Sequence, residues 1–170
     1  MQGGKNEYLF FIGHRDAPDS ILPALSAAIE KRITEDGVDQ FVVGHYGKFD
    51  SLAAQAVRKA KKQHPDILLF YLRPYHPAER PFTPAGFDGS FYPPGMETVP
   101  RKLAIVRANR YMVDNSQFLI AYVRYTVSNA WELTEYALKR EKKGLIHVEN
   151  LAKDKNLPLH FTSDTIDPKQ

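Results

Sequence analysis

Apolar and polar positions along this 170-residue chain switch repeatedly between two patterns, and the switches set the expected elements. Tyr8-Leu-Phe-Phe-Ile12 is a short continuous apolar run that ends at Gly13, as a strand buried on both faces does where it meets a tight turn. A helical period follows, with Ile21, Leu22, Leu25, Ala28, Ile29 and Ile33 on one face. Asp19 or Ser20 can cap this helix, Pro23 falls in the first turn where a missing N–H is tolerated, and Gly37 closes it. Phe41-Val-Val43 repeats the strand pattern and again ends in glycine, at Gly44. A second helix from near Asp50 buries Leu52, Ala53, Ala56, Val57 and Ala60; it stops at His64-Pro65, because proline disfavours helix at the residue before it. Ile67 to Leu72 is a third strand.

The pattern breaks between Arg73 and Pro100, where seven prolines are mixed with Tyr75, Phe82, Phe87, Phe91 and Tyr92. The segment is too apolar for a linker and too rich in proline for a long helix. It is expected to be an insertion that acts as a lid, an oligomer contact or a tethered loop over the sheet edge. Regularity returns at Arg101, with Ala104, Ile105, Ala108, Tyr111 and Met112 on one helical face and a fourth strand over Phe118 to Val123. Asn129-x-x-Glu132 reads as a capping box for a helix that buries Ala130, Leu133, Thr134, Ala137 and Leu138. Gly144 ends that helix, Leu145 to Val148 is a fifth strand, and the tail from about residue 151 is weakly periodic. Strands alternating with helices over short connections predict one α/β domain over residues 1–170. Its doubly wound, mainly parallel sheet has about five strands, with helices on both faces.

Composition narrows the classes without changing that picture. A chain that is 43% hydrophobic and 25% charged can bury a full core, which argues against disorder. No run of roughly 18 apolar residues is present, so no membrane partner is expected, and the polar start from Met1 to Glu7 has no secretory pattern. The absence of cysteine excludes disulfides and thiolate metal sites and suits a cytoplasmic location. A net charge of +3 is modest, and the runs Arg58 to Lys62 and Lys139 to Lys143 read as solvated helix ends, so nucleic acid is the less expected partner. The six histidines, His14, His45, His64, His76, His147 and His160, lack ligand spacing, so neither a metal nor a cofactor is expected. No G-x-S-x-G elbow supports a serine nucleophile.

In open α/β sheets ligands bind outside the carboxyl ends of strands, which directs attention to the segments that follow them. Gly13-His14-Arg15 offers a sharp turn and a guanidinium suited to phosphate or carboxylate, although an arginine there also serves as an ordinary surface ion-pair partner. Gly44-His-Tyr-Gly47-Lys-Phe-Asp50 leads into a helix whose N-terminal N–H groups can face an anion; alternatively it is a glycine turn with Asp50 as N-cap. Arg107, Asn109, Arg110 and Asp114 lie within about two helical turns, where a surface ion pair is the simpler account. Tyr125-Thr-Val-Ser128-Asn129 precedes another helix N-terminus.

Taken in order, GHR, then G-x-x-G-x-F-D-x-x-A-A, then N-R-Y-M-V-D-x-S-x-x-x-I-A-Y resembles the SLOG superfamily and its YpsA-like branch of bacterial and phage proteins, over roughly Phe10 to Val148. The resemblance implies a Rossmann-like fold and a nucleotide-type ligand over the carboxyl edge. Gly13, Arg15, Gly44, Gly47, Asp50, Asn109 and Asp114 fall on its motif positions, with His14 beside them. Two departures stand out. Ser128-Asn129 replaces a glycine pair usual in relatives, and Ala108 holds the place of the catalytic arginine of the superfamily's phosphoribohydrolases, with Arg107 adjacent and Glu132 or Glu135 as the acidic candidates. Three functions follow from the residues read together with this resemblance. The first is binding of a nucleoside phosphate, NAD-like or ADP-ribose-like molecule. The second is N-glycosidic cleavage of a nucleotide. The third is an interaction domain for nucleic acid or protein with a vestigial crevice. The aromatic insertion makes a homo-oligomer a further expectation.

Overall fold

The computed structural model describes residues 7–152. Six parallel strands form one sheet in the order β4-β3-β2-β1-β5-β6. In chain order the main elements are β1 (Tyr8–Gly13), α1 (Leu22–Asp36), β2 (Gln40–Val43), α2 (Lys48–Lys61), β3 (Leu68–Leu72), β4 (Gly89–Phe91), α3 (Ala104–Asn115), β5 (Phe118–Tyr122), α4 (Asn129–Lys142) and β6 (His147–Asn150). The chain winds outward from β1 to β4, then returns to place β5 on the other side of β1. Strand order therefore reverses between β1 and β5, and that is where the loops part to leave a crevice.

Successive side chains on a strand point to opposite faces, so the continuous apolar runs feed two cores. Leu9, Phe11, Phe41, Val43 and Leu69 face α1 and α2, packing on Leu25, Ile29, Leu52, Ala53 and Val57. Phe10, Ile12, Val42, Leu119 and Ala121 face α3 and α4, packing on Ala108, Met112, Leu133 and Ala137. The doubly wound class expected from the sequence is the one observed, with helices on both faces.

Local corrections have local causes. The first helix begins after a 3-10 turn, Asp19–Ile21, with Pro23 in its first turn, and no side chain caps it. Asp19 instead meets the Lys48 ammonium at 2.9 Å. Gly37, at φ 68°, closes the helix and donates to the Ile33 carbonyl. At α4 the cap lies one residue earlier than expected: the Ser128 hydroxyl accepts the Trp131 N–H at 3.0 Å.

The sixth strand lies inside the proline-rich insertion. Gly89, Ser90 and Phe91 pair with Phe70, Tyr71 and Leu72, making the insertion the sheet's edge. The Arg58–Lys62 run is correspondingly more than a solvated face. Arg58 donates to the Gly86 and Ala85 carbonyls and lies over the Phe87 ring at 5.0 Å, while Lys61 binds the Asp88 carboxylate. Arg73 is the hub of the segment. Buried at 5% exposure, it donates through Nε to the Ser90 hydroxyl at 2.7 Å, through one terminal nitrogen to Thr83 Oγ1 at 3.0 Å, and through the other to the Arg80 carbonyl. Tyr75, Phe91 and Tyr92 pack against the core, and Phe82 alone among the insertion's aromatics stands fully out, 85% exposed.

Candidate functional site

At the switch point the carboxyl ends of β1 and β2 and the first turns of α3 and α4 enclose a cavity of about 310 Å³. Its wall brings together Gly13, His14, Arg15, Gly44, Asp50, Asn109, Ser128 and Asn129, eight of the residues expected at a ligand site. The volume lies at the small end of the range for small-molecule pockets.

The glycines there serve the chain's own packing. A Cβ on Gly47 would stand 2.6 Å from the Arg15 Cα, and one on Gly13 would run into the Phe49 ring. The backbone of the β1–α1 loop therefore lies directly on the start of α2. It also takes up the first two of that helix's free donors: Lys48 N–H donates to the Arg15 carbonyl at 3.0 Å and Phe49 N–H to the His14 carbonyl at 3.4 Å. The expectation of an open anion site at this N-terminus is thus corrected, because the neighbouring loop caps it. Gly47→Ala is expected to push the Arg15 loop out of place and destabilise the protein by about 1–3 kcal/mol, as overpacking does. Chemical denaturation of the purified variant checks this.

Asp50 is in the first turn of α2 but does not act as N-cap; its carboxylate reaches back and accepts the Tyr46 N–H at 3.1 Å. The residue is half-buried and its carboxyl group lines the cavity. Burial pushes its pKa up to about 6, opposed by the Tyr46 hydrogen bond. Tyr46 forms the adjoining wall. Its own acidity is weakened by burial and by the neighbouring Tyr71 and Tyr75 hydroxyls.

Across the crevice the α4 N-terminus is open. Ser128 accepts the Trp131 N–H through its hydroxyl and the Glu132 N–H through its carbonyl, leaving the Asn129 and Ala130 N–H groups at the positions where helices have no internal acceptor. These donors and the helix dipole favour an anion, and the exposed Arg15 lines the same cavity. His14 is buried at the junction, and its ring nitrogen Nε2 accepts from the backbone N–H groups of Arg124 and Tyr125 at 2.7 and 3.1 Å.

Several of the expected ligand or catalytic positions are not brought to this wall. Asp114 lies at the far end of α3, where it accepts from the Tyr136 hydroxyl and pairs with Arg140 at 3.5 Å. The surface pair expected between Asp114 and Arg107 or Arg110 is replaced by this contact to α4, and Arg110 lies over the Tyr136 ring at 4.2 Å. Arg107 is exposed, turned away from the α3 face that offers Ile105, Val106 and Asn109. Glu132 and Glu135 also lie outside the cavity lining. Among the described residues no group of three or more acidic or histidine side chains could hold a metal, and no helix is long and apolar enough to cross a membrane.

The wall also includes Tyr46, Ile105, Val106, Ala130 and Leu133, which do not stand out in the sequence as site residues. Tyr46 had a usable signal, an aromatic between two glycines after a strand. The others read only as ordinary helix positions.

The six-stranded parallel sheet with a crevice at its switch point defines a Rossmann-like α/β protein. No protein-family model matches the chain, and no curated protein matches it in sequence. Solved structures share the fold. DNA processing protein A (DprA) from Streptococcus pneumoniae superposes with a TM-score of 0.59 at 17% identity, covering 84% of this chain and 49% of that one. This chain therefore spans about half of DprA's length. The molybdenum cofactor binding protein from the phototrophic bacterium Rippkaea orientalis superposes with a TM-score of 0.57 at 14% identity, covering 96% of this chain and 86% of that one.

Proposed function

We propose that this protein binds a nucleotide-derived small anion in the crevice between β1 and β5, and that it is a SLOG-type binding protein of the cytoplasm. The observation that carries the reading is that the first residues of α4, Asn129 and Ala130, line one cavity together with Arg15 and the half-buried Asp50. The N–H groups and Arg15 suit a phosphate. Asp50, beyond the carboxyl end of β2, suits donors on the same ligand such as ribose hydroxyls; in dinucleotide-binding folds an acidic residue near this edge has that task. Tyr46, Ile105 and Val106 supply an apolar wall for a ring. The neighbour whose name states that it binds a cofactor shares this fold over nearly the whole chain, which is in keeping with a small ligand.

Binding is favoured over turnover. Glycoside hydrolysis ordinarily uses a pair of carboxyl groups flanking the scissile bond. Asp50 is the one carboxylate among the lining residues, with Glu132 and Glu135 outside. A calorimetric screen of nucleoside monophosphates, NAD and ADP-ribose tests both readings, with hits checked for free base. The expected result is a bound, intact ligand whose affinity falls about 10- to 100-fold in Arg15→Ala, the loss of one charge-assisted contact. Released base would replace the binding reading with the hydrolytic one.

A further inference from the structure

The ring of His14 has an unusual set of partners. Nε2 accepts two backbone N–H groups, Arg124 at 2.7 Å and Tyr125 at 3.1 Å, from the loop that runs directly into the α4 cap. Two N–H donors can be met only by a nitrogen carrying a lone pair, so the ring is neutral with its proton on Nδ1. The Tyr125 ring lies against it with centroids 4.4 Å apart, and the Tyr125 hydroxyl donates to Asp16 at 3.1 Å. The backbone of His14 is fixed independently: its N–H donates to Tyr122 on β5, and its carbonyl accepts from Phe49 on α2. The imidazole is thus a rigid post standing on β1, and the β5–α4 loop hangs from it. Beyond Tyr125 that loop carries Val127, 92% exposed, so little apolar burial holds it otherwise.

We infer that His14 is a positioning residue: its neutral imidazole holds the β5–α4 loop and thereby the Ser128–Ala130 end of the crevice, and protonation of the ring releases both. A protonated imidazole is a donor at both nitrogens and would set N–H against two N–H groups, so both hydrogen bonds are lost together. The groups facing the ring are Asp16 from the β1–α1 loop, Arg124 and Tyr125 from the β5–α4 loop, and Tyr122 from β5. Burial lowers the ring's pKa from its ordinary 6.5, with Asp16 acting against that shift and Arg124 adding to it. A depressed pKa means the clamp is fully present above 6.5 and is lost as pH falls below it. A neutral ring at this position makes the crevice complete at neutral pH and open on acidification.

The clamp depends on the binding reading only for its effect on affinity, so the test reads the loop itself. Hydrogen-exchange protection of the Arg124 and Tyr125 amides is followed by NMR from about pH 8 to about pH 5, alongside the ring nitrogen shifts of His14. The expected result is an Nδ1–H tautomer and protection that falls by about tenfold for each pH unit between 6.5 and the folded pKa. A glutamine amide can accept but not titrate, so His14→Gln is expected to keep the protection and flatten its pH profile, whereas His14→Ala loses protection at every pH. Asp50 titrates in a similar range, and in Asp50→Asn the amide profile is expected to be unchanged. An Nε2–H tautomer, a pH-independent wild-type profile, or a His14→Gln profile that still falls with acid overturns the inference. With ADP-ribose as probe, whose pyrophosphate does not titrate in this range, affinity should fall on acidification in Asp50→Asn from the level that variant keeps at neutral pH, and stay level once His14→Gln is added. If ADP-ribose fails to bind at every pH, the choice of ligand class is at fault, and the amides still decide the clamp.

Discussion

Asp50→Asn is expected to raise the melting temperature above neutral pH while weakening ligand capture. The carboxyl's pKa is pushed up to about 6 from 3.8, so the folded protein holds that proton more tightly than the unfolded chain. The stability associated with this group is therefore full below 3.8, is lost as pH rises between 3.8 and about 6, and stays lost above. Two pKa units correspond to roughly 3 kcal/mol. Asparagine removes the buried charge, and its amide oxygen can still accept the Tyr46 N–H. For a domain of this size the gain at pH 8 amounts to roughly 6–12 °C, with little difference from wild type near pH 4. Thermal denaturation of both proteins across that pH range checks the sign and the window. An unchanged or lower melting temperature at pH 8 would mean that the carboxylate is well solvated or paired. If Asp50 is the proposed ligand acceptor, its lowering of stability in the empty protein is the expected cost of preorganisation.

Arg73→Lys is expected to be the most damaging conservative change in the chain, costing about 3 kcal/mol or more. Arg73 is a buried cation, and its hydrogen-bond acceptors are the neutral Ser90 hydroxyl, Thr83 hydroxyl and Arg80 carbonyl. A planar fork reaches all three; an ammonium on a single stem cannot, and it would remain charged in the same enclosure. Arg73→Met removes the hydrogen bonds but also the cost of burying the charge, so it should lose less, about 1–2 kcal/mol. Urea denaturation of the two variants decides the order. A lysine variant more stable than the methionine one would show that the charge, rather than the fork, holds the insertion onto β3.

These two residues also mark the limits of what the sequence discloses. The helices and the long strands carry many residues at one period, so β1, α2, α3 and β5 were legible, and the glycines after β1 and β2 located the crevice. β4 was not, because Gly89–Phe91 has only three residues, no period, and a pairing partner 19 positions earlier in the chain. Arg73 gave no signal for the same reason: its acceptors are set by how the insertion folds back. Residues next to strand ends reach the cavity wall, since the end of a strand fixes where the following residues lie. Asp114 does not reach that wall, because five helical residues beyond Asn109 are about 7.5 Å farther along the axis, toward the opposite edge of the sheet. The glycines have a packing role the sequence does not show: Gly13 and Gly47 allow the β1–α1 loop to lie on α2, which shapes the crevice.

Whether the α4 N-terminus, Arg15 and Asp50 form one anion-binding crevice is decided by calorimetric titration of wild type, Arg15→Ala and Asp50→Asn with the best nucleotide from the screen. One site per chain is expected, with a loss of about tenfold or more in each variant while both remain folded. Binding of the same affinity in all three proteins would put the ligand elsewhere and contradict the shared crevice.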